Sequence, residues 1–138
     1  MSADTAQAET VASELDIFQC QVSIDLSVQL QNQIAGRNWK ANNDLKVVWK
    51  DAGYWAARQH KIPSLRGVEL IVSQRCGKQG RLPDIASCMP SVKAFIDGLQ
   101  VAKVFPDDSR DYLSSLTFNK IERSVQPGLD FQLTGTRA

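Results

Sequence analysis

The sequence predicts a single compact α+β domain, with a mixed sheet of about four strands and two main helices in the order β-α-β-α-β-β. A chain of 138 residues, 43% of them hydrophobic and 22% charged, has the size and composition of one globular domain. Two stretches repeat apolar residues at helical spacing, and the other apolar stretches alternate or run continuously, as strands do. Their interleaving along the chain favours the α+β class.

The chain is predicted to have two parts. Residues 1–16 are small, polar and acidic, which predicts a flexible tail, and residues 17–138 form the domain. No apolar run approaches the ~20 residues of a membrane span, and the N-terminal segment lacks the basic head and apolar centre of a signal peptide. We therefore expect a cytoplasmic protein without a membrane partner.

The first half of the domain is predicted to contain one strand and one helix. Residues 18–28, FQCQVSIDLSV, alternate as a half-buried strand does, and residues 29–43 have no period and predict a loop. Asn43 and Asp44 offer caps for a helix over 45–61. The inward side of this helix is predicted to carry Leu45, Val48, Trp49, Ala52, Trp55 and Ala56.

The second half is predicted to contain three strands and one helix. Residues 68–76, VELIVSQRC, predict a central strand, followed by a basic, glycine-rich loop. Ser87 is the predicted N-cap of a helix that has Pro90 in its first turn. The inward side of this helix is predicted to carry Val92, Phe95, Ile96, Leu99 and Ala102. Two more strands are expected, at 111–123 and 129–135.

Charge is separated along the chain although the formal net charge is only +1. Residues 1–36 carry five acids and no Lys or Arg, whereas residues 37–81 carry ten bases and three acids. A polyanion would meet this middle segment. The alternative is that the same bases are scattered over a solvated helix and its loops.

Several classes of chemistry lack their motifs. The sequence contains no P-loop, no dinucleotide-binding glycine pattern and no nucleophile elbow, so no nucleotide cofactor is expected. Cys20, Cys76 and Cys88 are widely spaced, and only His60 is available to complete a zinc set. The cysteines are therefore predicted to be reduced thiols.

Carboxylates gather around the second predicted helix. Asp84 precedes it, Lys93 and Asp97 lie on it, and Asp107 and Asp108 follow it. If the next strand pairs with the central strand, we expect both ends of the helix at one edge of the sheet, where the acids could share a Mg²⁺ ion. Such an ion promotes phosphodiester hydrolysis, and Lys93 could hold the phosphate.

An ordinary surface explains the same residues. The helix dipole favours Asp near a helix start, and Pro-Asp-Asp is common in turns. Lys93 and Asp97, four residues apart, could be only a weak surface pair. Spacing alone leaves the metal site and the solvated surface both open.

The stretch VKAFIDGLQVAKVFPDDSRDYLSSLTFNKIE resembles the RusA-type Holliday junction resolvases of bacteria and their phages, in which a helix K-A-x-x-D-x-L is followed by a short loop and D-D before a strand. Upstream, QNQIAGRNWKANNDLKVVWKDAGYWAARQHKIP resembles the family's N-terminal loop and Trp-containing basic helix, and RGVELIVSQR resembles the strand before its first acid. The similarity spans residues 20–135.

The resemblance implies a Mg²⁺- or Mn²⁺-dependent endonuclease that acts as a homodimer on branched double-stranded DNA, in a bacterial cell or phage-infected host. A two-fold dimer presents two equivalent sites to a two-fold four-way junction. The implied catalytic residues are Asp84, Asp108 and Lys93. The implied metal ligands are Asp84, Asp107 and Asp108, supported by Asp97. The bases expected to bind the DNA backbone are Arg37, Lys40, Lys46, Lys50, Arg58, Arg75, Lys78 and Arg81.

The loop before the second helix departs from the family pattern. The family has two acids that bracket one residue, often followed by Asn, as D-x-D-N, whereas this chain has Asp84, Ile85, Ala86 and Ser87. One fewer carboxylate should lower metal affinity. The alternative function is therefore a catalytically weakened or inactive protein that binds branched DNA on the same fold, and a further alternative is a small interaction protein with structural acids.

Overall fold

Five strands and two helices make up the part of the chain that a computed structural model describes, which is residues 16–28, 39–106 and 112–138, with 39–42 by backbone alone. The elements are β1 (Ile17–Ile24), α1 (Trp39–Gln59), β2 (Leu65–Cys76), α2 (Met89–Val101), β3 (Leu113–Phe118), β4 (Glu122–Arg123) and β5 (Gly128–Arg137). They confirm the predicted single α+β domain with a mixed sheet. The predicted strand 111–123 is divided into β3 and β4, and residues 1–15 of the predicted tail lie outside the described residues.

The last strand of the chain lies in the middle of the sheet. The strand order is β1-β5-β2-β3, and the short β4 pairs with the end of β2. β5 is antiparallel to both β1 and β2, so β1 and β2 are parallel to each other, and β3 is parallel to β2. We call the edge at which β1 and β2 end the carboxyl edge. The helices α1 and α2 each begin after a strand that ends there.

Helix α1 is longer than its sequence pattern predicts. It begins at Trp39, within the segment predicted to be a loop through residue 43. The loop prediction was wrong for residues 39–43, because helix extension is cheap once the first turns exist, so polar residues without a period can continue a helix. Residues 29–38 of the predicted loop lie outside the described residues. The helix is anchored by Trp49, which is fully buried and donates its Nε1–H to the carbonyl oxygen of Ser27 at 2.7 Å.

The buried side of α1 differs from the prediction at two large residues. Trp55 is 62% exposed and Val48 is 41% exposed. Both were predicted to face inward because Ala52 lies three or four residues from each of them and three residues from Trp49, so the spacing assigns all four to one face. The buried side instead carries Trp49 together with small residues that the pattern underweights, namely Gly53, Ala56 and Ala57.

Strand β2 also begins earlier than predicted, at Leu65 instead of residue 68. Gly67 has φ of 58° and lies where the register against β5 shifts between Arg66 and Glu69. A glycine with positive φ at such a shift is typical of a β-bulge. Because the bulge puts Leu65 and Val68, three residues apart, on the same buried side, the alternation that marks a strand is broken there.

Both helices pack on one face of the sheet and against each other. The predicted inward stripe of α2 is buried from Val92 to Leu99, and Ala102 is half-buried. Phe95 of α2 stacks on Phe131 of β5 with ring centroids 3.9 Å apart and planes within 4°. This contact ties the centre of α2 to the central strand of the sheet.

The two helices cross where each has a glycine. A Cβ atom added to Gly98 would overlap the carbonyl oxygen of Lys50 and lie 2.7 Å from the amide nitrogen of Tyr54. A Cβ atom added to Gly53 would overlap the carbonyl oxygen of Phe95. The backbones therefore touch without an intervening side chain, and the position of α2 depends on both glycines.

Gly98→Ala should destabilise the fold although alanine normally favours a helix. Alanine gains roughly 0.5–1 kcal/mol over glycine in a helix interior, but overpacking a close contact costs about 1–3 kcal/mol. We expect a net loss in the free energy of unfolding measured by urea denaturation. Gly77→Ala is the matched control, because no atom lies within 4 Å of its Cβ position. A Gly98→Ala protein as stable as the control variant would contradict the crossing.

Candidate nucleic-acid interface

The loop between β2 and α2 carries Asp84 and is held by an arginine that the sequence analysis did not single out. Arg123 of β4 donates from Nη1 to the carbonyl oxygen of Gly77 at 3.1 Å and from Nη2 to that of Gly80 at 2.6 Å. Gly80 has φ of 89°, a conformation that favours glycine. The loop leaves β2 in a fixed direction, with Lys78 exposed.

Asp84 lies in a turn that leads into α2. Its carbonyl oxygen accepts hydrogen bonds from the amide of Ser87 at 3.0 Å and from the Ser87 hydroxyl at 2.6 Å. The predicted N-cap role of Ser87 was wrong, because its hydroxyl is used in this turn and Cys88 occupies the N-cap position without a side-chain capping bond. The Asp84 side chain is exposed, and Ala86, two residues later, is exposed as well.

Lys93 and Asp97 lie on the outer side of α2, where the sequence predicts them. Lys93 is exposed and Asp97 is half-buried. No ion pair joins them among the described residues. The weak surface pair considered from their spacing is therefore not formed, and the Lys93 ammonium can contact an anion.

The two ends of α2 lie at opposite edges of the sheet. The amide of Leu65, at the start of β2, donates a hydrogen bond to the carbonyl oxygen of Val104 at 2.6 Å, so the segment just after α2 lies at the starting edge of β2. The amide of Val68 likewise donates to the carbonyl oxygen of Tyr112 at 2.8 Å. Asp84 instead follows the carboxyl end of β2. Strand β3 does pair with β2, which was the condition for the expected metal site, but the two strands are parallel. The expectation that both helix ends return to one edge was therefore wrong.

A metal site formed by all the predicted acids stays a prediction. Asp107 and Asp108 lie outside the described residues. Within residues 16–28, 39–106 and 112–138, no group of three or more His, Cys, Asp or Glu side chains is placed to hold a metal ion. The 13 residues of α2 span about 20 Å, which is far more than the width of one coordination shell.

Exposed bases accompany Asp84 at the carboxyl edge. Lys46 lies in the first half of α1, which begins at that edge, and Lys78 and Arg81 lie in the loop that leaves β2 there. Arg58 is also exposed but lies near the far end of α1, about 18 Å from Lys46 along the helix axis. Lys50 is exposed between them, whereas Arg37 and the side chain of Lys40 lie outside the described parts.

Arg75 differs from the other predicted DNA-binding bases because it is fully used inside the chain. Its Nε donates to the Asp130 carboxylate at 3.1 and 3.2 Å, and its Nη2 donates to Asp25 at 2.7 Å. Its Nη1 donates to the carbonyl oxygen of Gln126 at 2.6 Å, and Nη2 also contacts the Ser23 hydroxyl at 3.2 Å. Every guanidinium nitrogen thus binds β1, β5 or the turns beside them.

The surroundings of Arg75 favour its charged form. Burial by itself would lower its pKa, but hydrogen bonds and charge attraction from Asp25 and Asp130 outweigh burial and leave the pKa above its ordinary value. The side chain is 15% exposed. Arg75 therefore joins three segments at the carboxyl edge and has little surface left for a phosphate.

The sheet face away from the helices is polar and contains a cleft that the sequence analysis did not predict. The cleft has a volume of about 820 Å³. It is lined by Gln21, Val22, Ser23, Ile71, Ser73, Asn119, Lys120, Glu122, Asp130, Phe131 and Gln132. The alternating polar residues of β1 indicated a solvated face of the sheet. The cleft also needs Asn119 and Lys120 in the turn between β3 and β4, and no sequence pattern predicts that this turn lies over the sheet.

The cysteines agree with the prediction of free thiols. All three are free; Cys20 and Cys76 are half-buried and Cys88 is buried. Burial raises the pKa of Cys88 to about 11 and raises the pKa values of Cys20 and Cys76 as well. Since the thiolate is the nucleophilic and metal-binding form, these residues are poor nucleophiles and poor metal ligands near neutral pH.

Comparisons with known proteins place the chain in no family. No protein-family model matches it, and no curated protein matches it. Three solved chains match. One of them is thiamine monophosphate kinase from Aquifex aeolicus, which is 13% identical with a TM-score of 0.31, over 98% of this chain and 41% of that chain. In addition, none of the helices in the described parts is long and apolar enough to cross a bilayer.

Arg75→Met should lower the stability of the domain. Removing charged hydrogen bonds costs about 1.5–3 kcal/mol, so we expect a loss of that size in the free energy of unfolding measured by urea denaturation. Lys78→Met is the matched control, because Lys78 is exposed, and should stay within about 0.5 kcal/mol of the unmodified protein. An Arg75→Met protein as stable as the control would contradict the structural role of Arg75.

Proposed function

We propose that this chain is a Mg²⁺-dependent endonuclease that binds branched DNA at the carboxyl edge and resolves four-way junctions as a homodimer. The observation that carries the proposal is the joint exposure at that edge of Lys46, Lys78, Arg81 and Asp84. The cations would hold backbone phosphates largely without reading sequence, and the carboxylate beside them would hold a Mg²⁺ ion next to a neighbouring phosphate.

The side chains on and before α2 suit phosphodiester hydrolysis. The exposed carboxylate oxygens of Asp84 are the hard ligands that Mg²⁺ prefers, and this ion keeps several waters, so few carboxylates suffice. When bound, Mg²⁺ would supply an activated water and stabilise the leaving oxygen. Lys93, exposed on α2, would hold the scissile phosphate and offset the charge that develops on it.

The proposed homodimer can bring the end of α2 of one protomer to the start of α2 of its partner. Within one chain, these two helix ends are about 20 Å apart. We propose that Asp84 of one protomer and Asp107 and Asp108 of its partner hold the same ion. A two-fold dimer would then contain two such sites and make paired nicks.

Cleavage of a labelled synthetic four-way junction tests this function. We expect Mg²⁺-dependent nicking that EDTA abolishes and that Asp84→Asn lowers by on the order of 10²–10³, the cost of removing one group that stabilises transition-state charge. Glu69→Gln is the matched control, because Glu69 is an exposed acid of β2 away from this edge. Junction binding without Mg²⁺ should be unchanged in both variants.

Mixing two inactive variants separates a shared site from a site within one chain. Asp84→Asn and Asp108→Asn proteins, each with strongly reduced activity, should regain nicking when they are mixed and allowed to exchange subunits, because a mixed dimer contains one site with both acids. No recovery in dimers shown to be mixed would contradict the shared site. Failure to bind the junction at low salt would contradict the whole proposal.

A second function, binding of branched DNA without cleavage, is favoured by Ala86, which is exposed two residues after Asp84 where the resembled family has an acid. If the missing carboxylate limits turnover, Ala86→Asp should raise the nicking rate at least about tenfold, a typical effect on metal affinity or activity around a metal centre. Ile85→Asp is the matched control, because it adds the same charge one residue away. Equal rates in Ala86→Asp and unmodified protein would contradict a role for position 86.

A further inference from the structure

The outer side of α1 presents two aromatic rings near the end of the helix. Trp55 is 62% exposed. The ring of Tyr54 meets it edge to face, with centroids 5.1 Å apart and an interplanar angle of 81°. The guanidinium of Arg58 lies 5.8 Å from the Tyr54 ring centroid, and its Nη1 is 3.4 Å from the Tyr54 hydroxyl. A flat, open indole is thus held beside a ring and a cation.

The core does not explain the exposure of Trp55. Helix α1 is anchored by Trp49, and it contacts α2 through Gly53. Scattered exposed apolar residues are ordinary, but here Val47 and Val48, two turns earlier, are also 50% and 41% exposed. The outer side of α1 therefore carries Val47 and Val48 and, two turns later, Trp55, with the exposed Asp51 between them. We call this row of residues the stripe of α1.

The charge around this stripe favours a nucleic acid over an apolar protein surface. Residues 43–66 contain five bases and two acids, a net charge of +3. Lys50 and Arg58, on either side of Tyr54 in sequence, are exposed, as is Lys61. Cations beside exposed aromatic rings bind unpaired nucleotides with little sequence preference, since every base has a face on which a ring can stack.

We propose that Trp55, positioned by Tyr54 and flanked by Arg58, stacks on an unpaired base of bound DNA. This inference rests on the proposed function and deepens it, because it names the feature of branched DNA that the protein recognises. In a duplex the base faces are covered by their neighbours, so Trp55 has no partner there. At a branch point or in a single strand, a base can leave the stack and lie on the indole.

Fluorescence anisotropy with three labelled DNAs tests the proposal: a single-stranded oligothymidine, a four-way junction and a duplex. Trp55→Ala should weaken single-strand binding by about 5- to 160-fold, the loss typical of one base–aromatic stack. It should weaken junction binding in the same direction and leave duplex binding unchanged. Trp55→Phe, which keeps an aromatic face, should retain most of the single-strand affinity.

Two other variants separate stacking from charge and from general surface effects. Val101→Ala removes a 53% exposed apolar side chain from α2 and should change no affinity. Lys50→Gln removes a cation and should weaken binding to all three DNAs, because it acts on the phosphate backbone. The pattern expected of Trp55, with single strand affected and duplex spared, is therefore distinct from both.

Each remaining outcome overturns the inference in an identifiable way. Unmodified protein that binds DNA, together with a Trp55→Ala variant of equal single-strand affinity, would reject the stacking role and leave the proposed function standing. Unmodified protein that binds none of the three DNAs at low salt would reject both. A change in molar mass by light scattering in Trp55→Ala, with DNA affinity unchanged, would identify the stripe as a contact between copies of the chain.

Discussion

The close contact between Gly53 and Gly98 sets the positions of the other elements. With no side chain between the backbones, α2 lies against α1 at one place along its length, and Phe95 is directed onto Phe131 in the central strand. A side chain of any size at either glycine would move α2 away from this contact. The loop that carries Asp84 leads into α2. The position of Asp84 at the carboxyl edge therefore depends on the same contact between the glycines.

The parallel pairing of β2 with β3 gives the two edges of the sheet different compositions. The carboxyl edge receives the start of α1, the loop with Lys78 and Asp84, and the Arg75 ion pairs. The opposite edge receives the end of α2. Among the described residues, exposed Lys78, Arg81 and Asp84 lie at the carboxyl edge, whereas exposed Lys61, Arg66 and Lys103 lie toward the opposite edge. Helix α2, which connects the parallel strands β2 and β3, therefore separates the charged residues before it from those after it within one chain.

Features that depend on neighbouring residues could be predicted from the sequence, and those that depend on distant partners could not. Alternation in β1 and the apolar stripe of α2 are local, and both were predicted. The exposure of Trp55 could not be predicted, because periodicity gives the spacing of a helical face but not which of two overlapping faces meets the sheet. Arg75 was interpreted as a DNA contact because it lies in the basic segment 37–81. Its partners Asp25 and Asp130 could not be predicted, since they lie 50 and 55 residues away in the sequence.

The central place of β5 has a consequence for synthesis of the chain on the ribosome. β1 and β2 are both complete long before residues 128–137 are made, yet neither pairs with the other, since each pairs with β5. Until β5 emerges, the edges of β1 and β2 that pair with it are unsatisfied and can pair with other chains. The interval in which such pairing can occur therefore runs from completion of β2 until the ten residues of β5 have emerged.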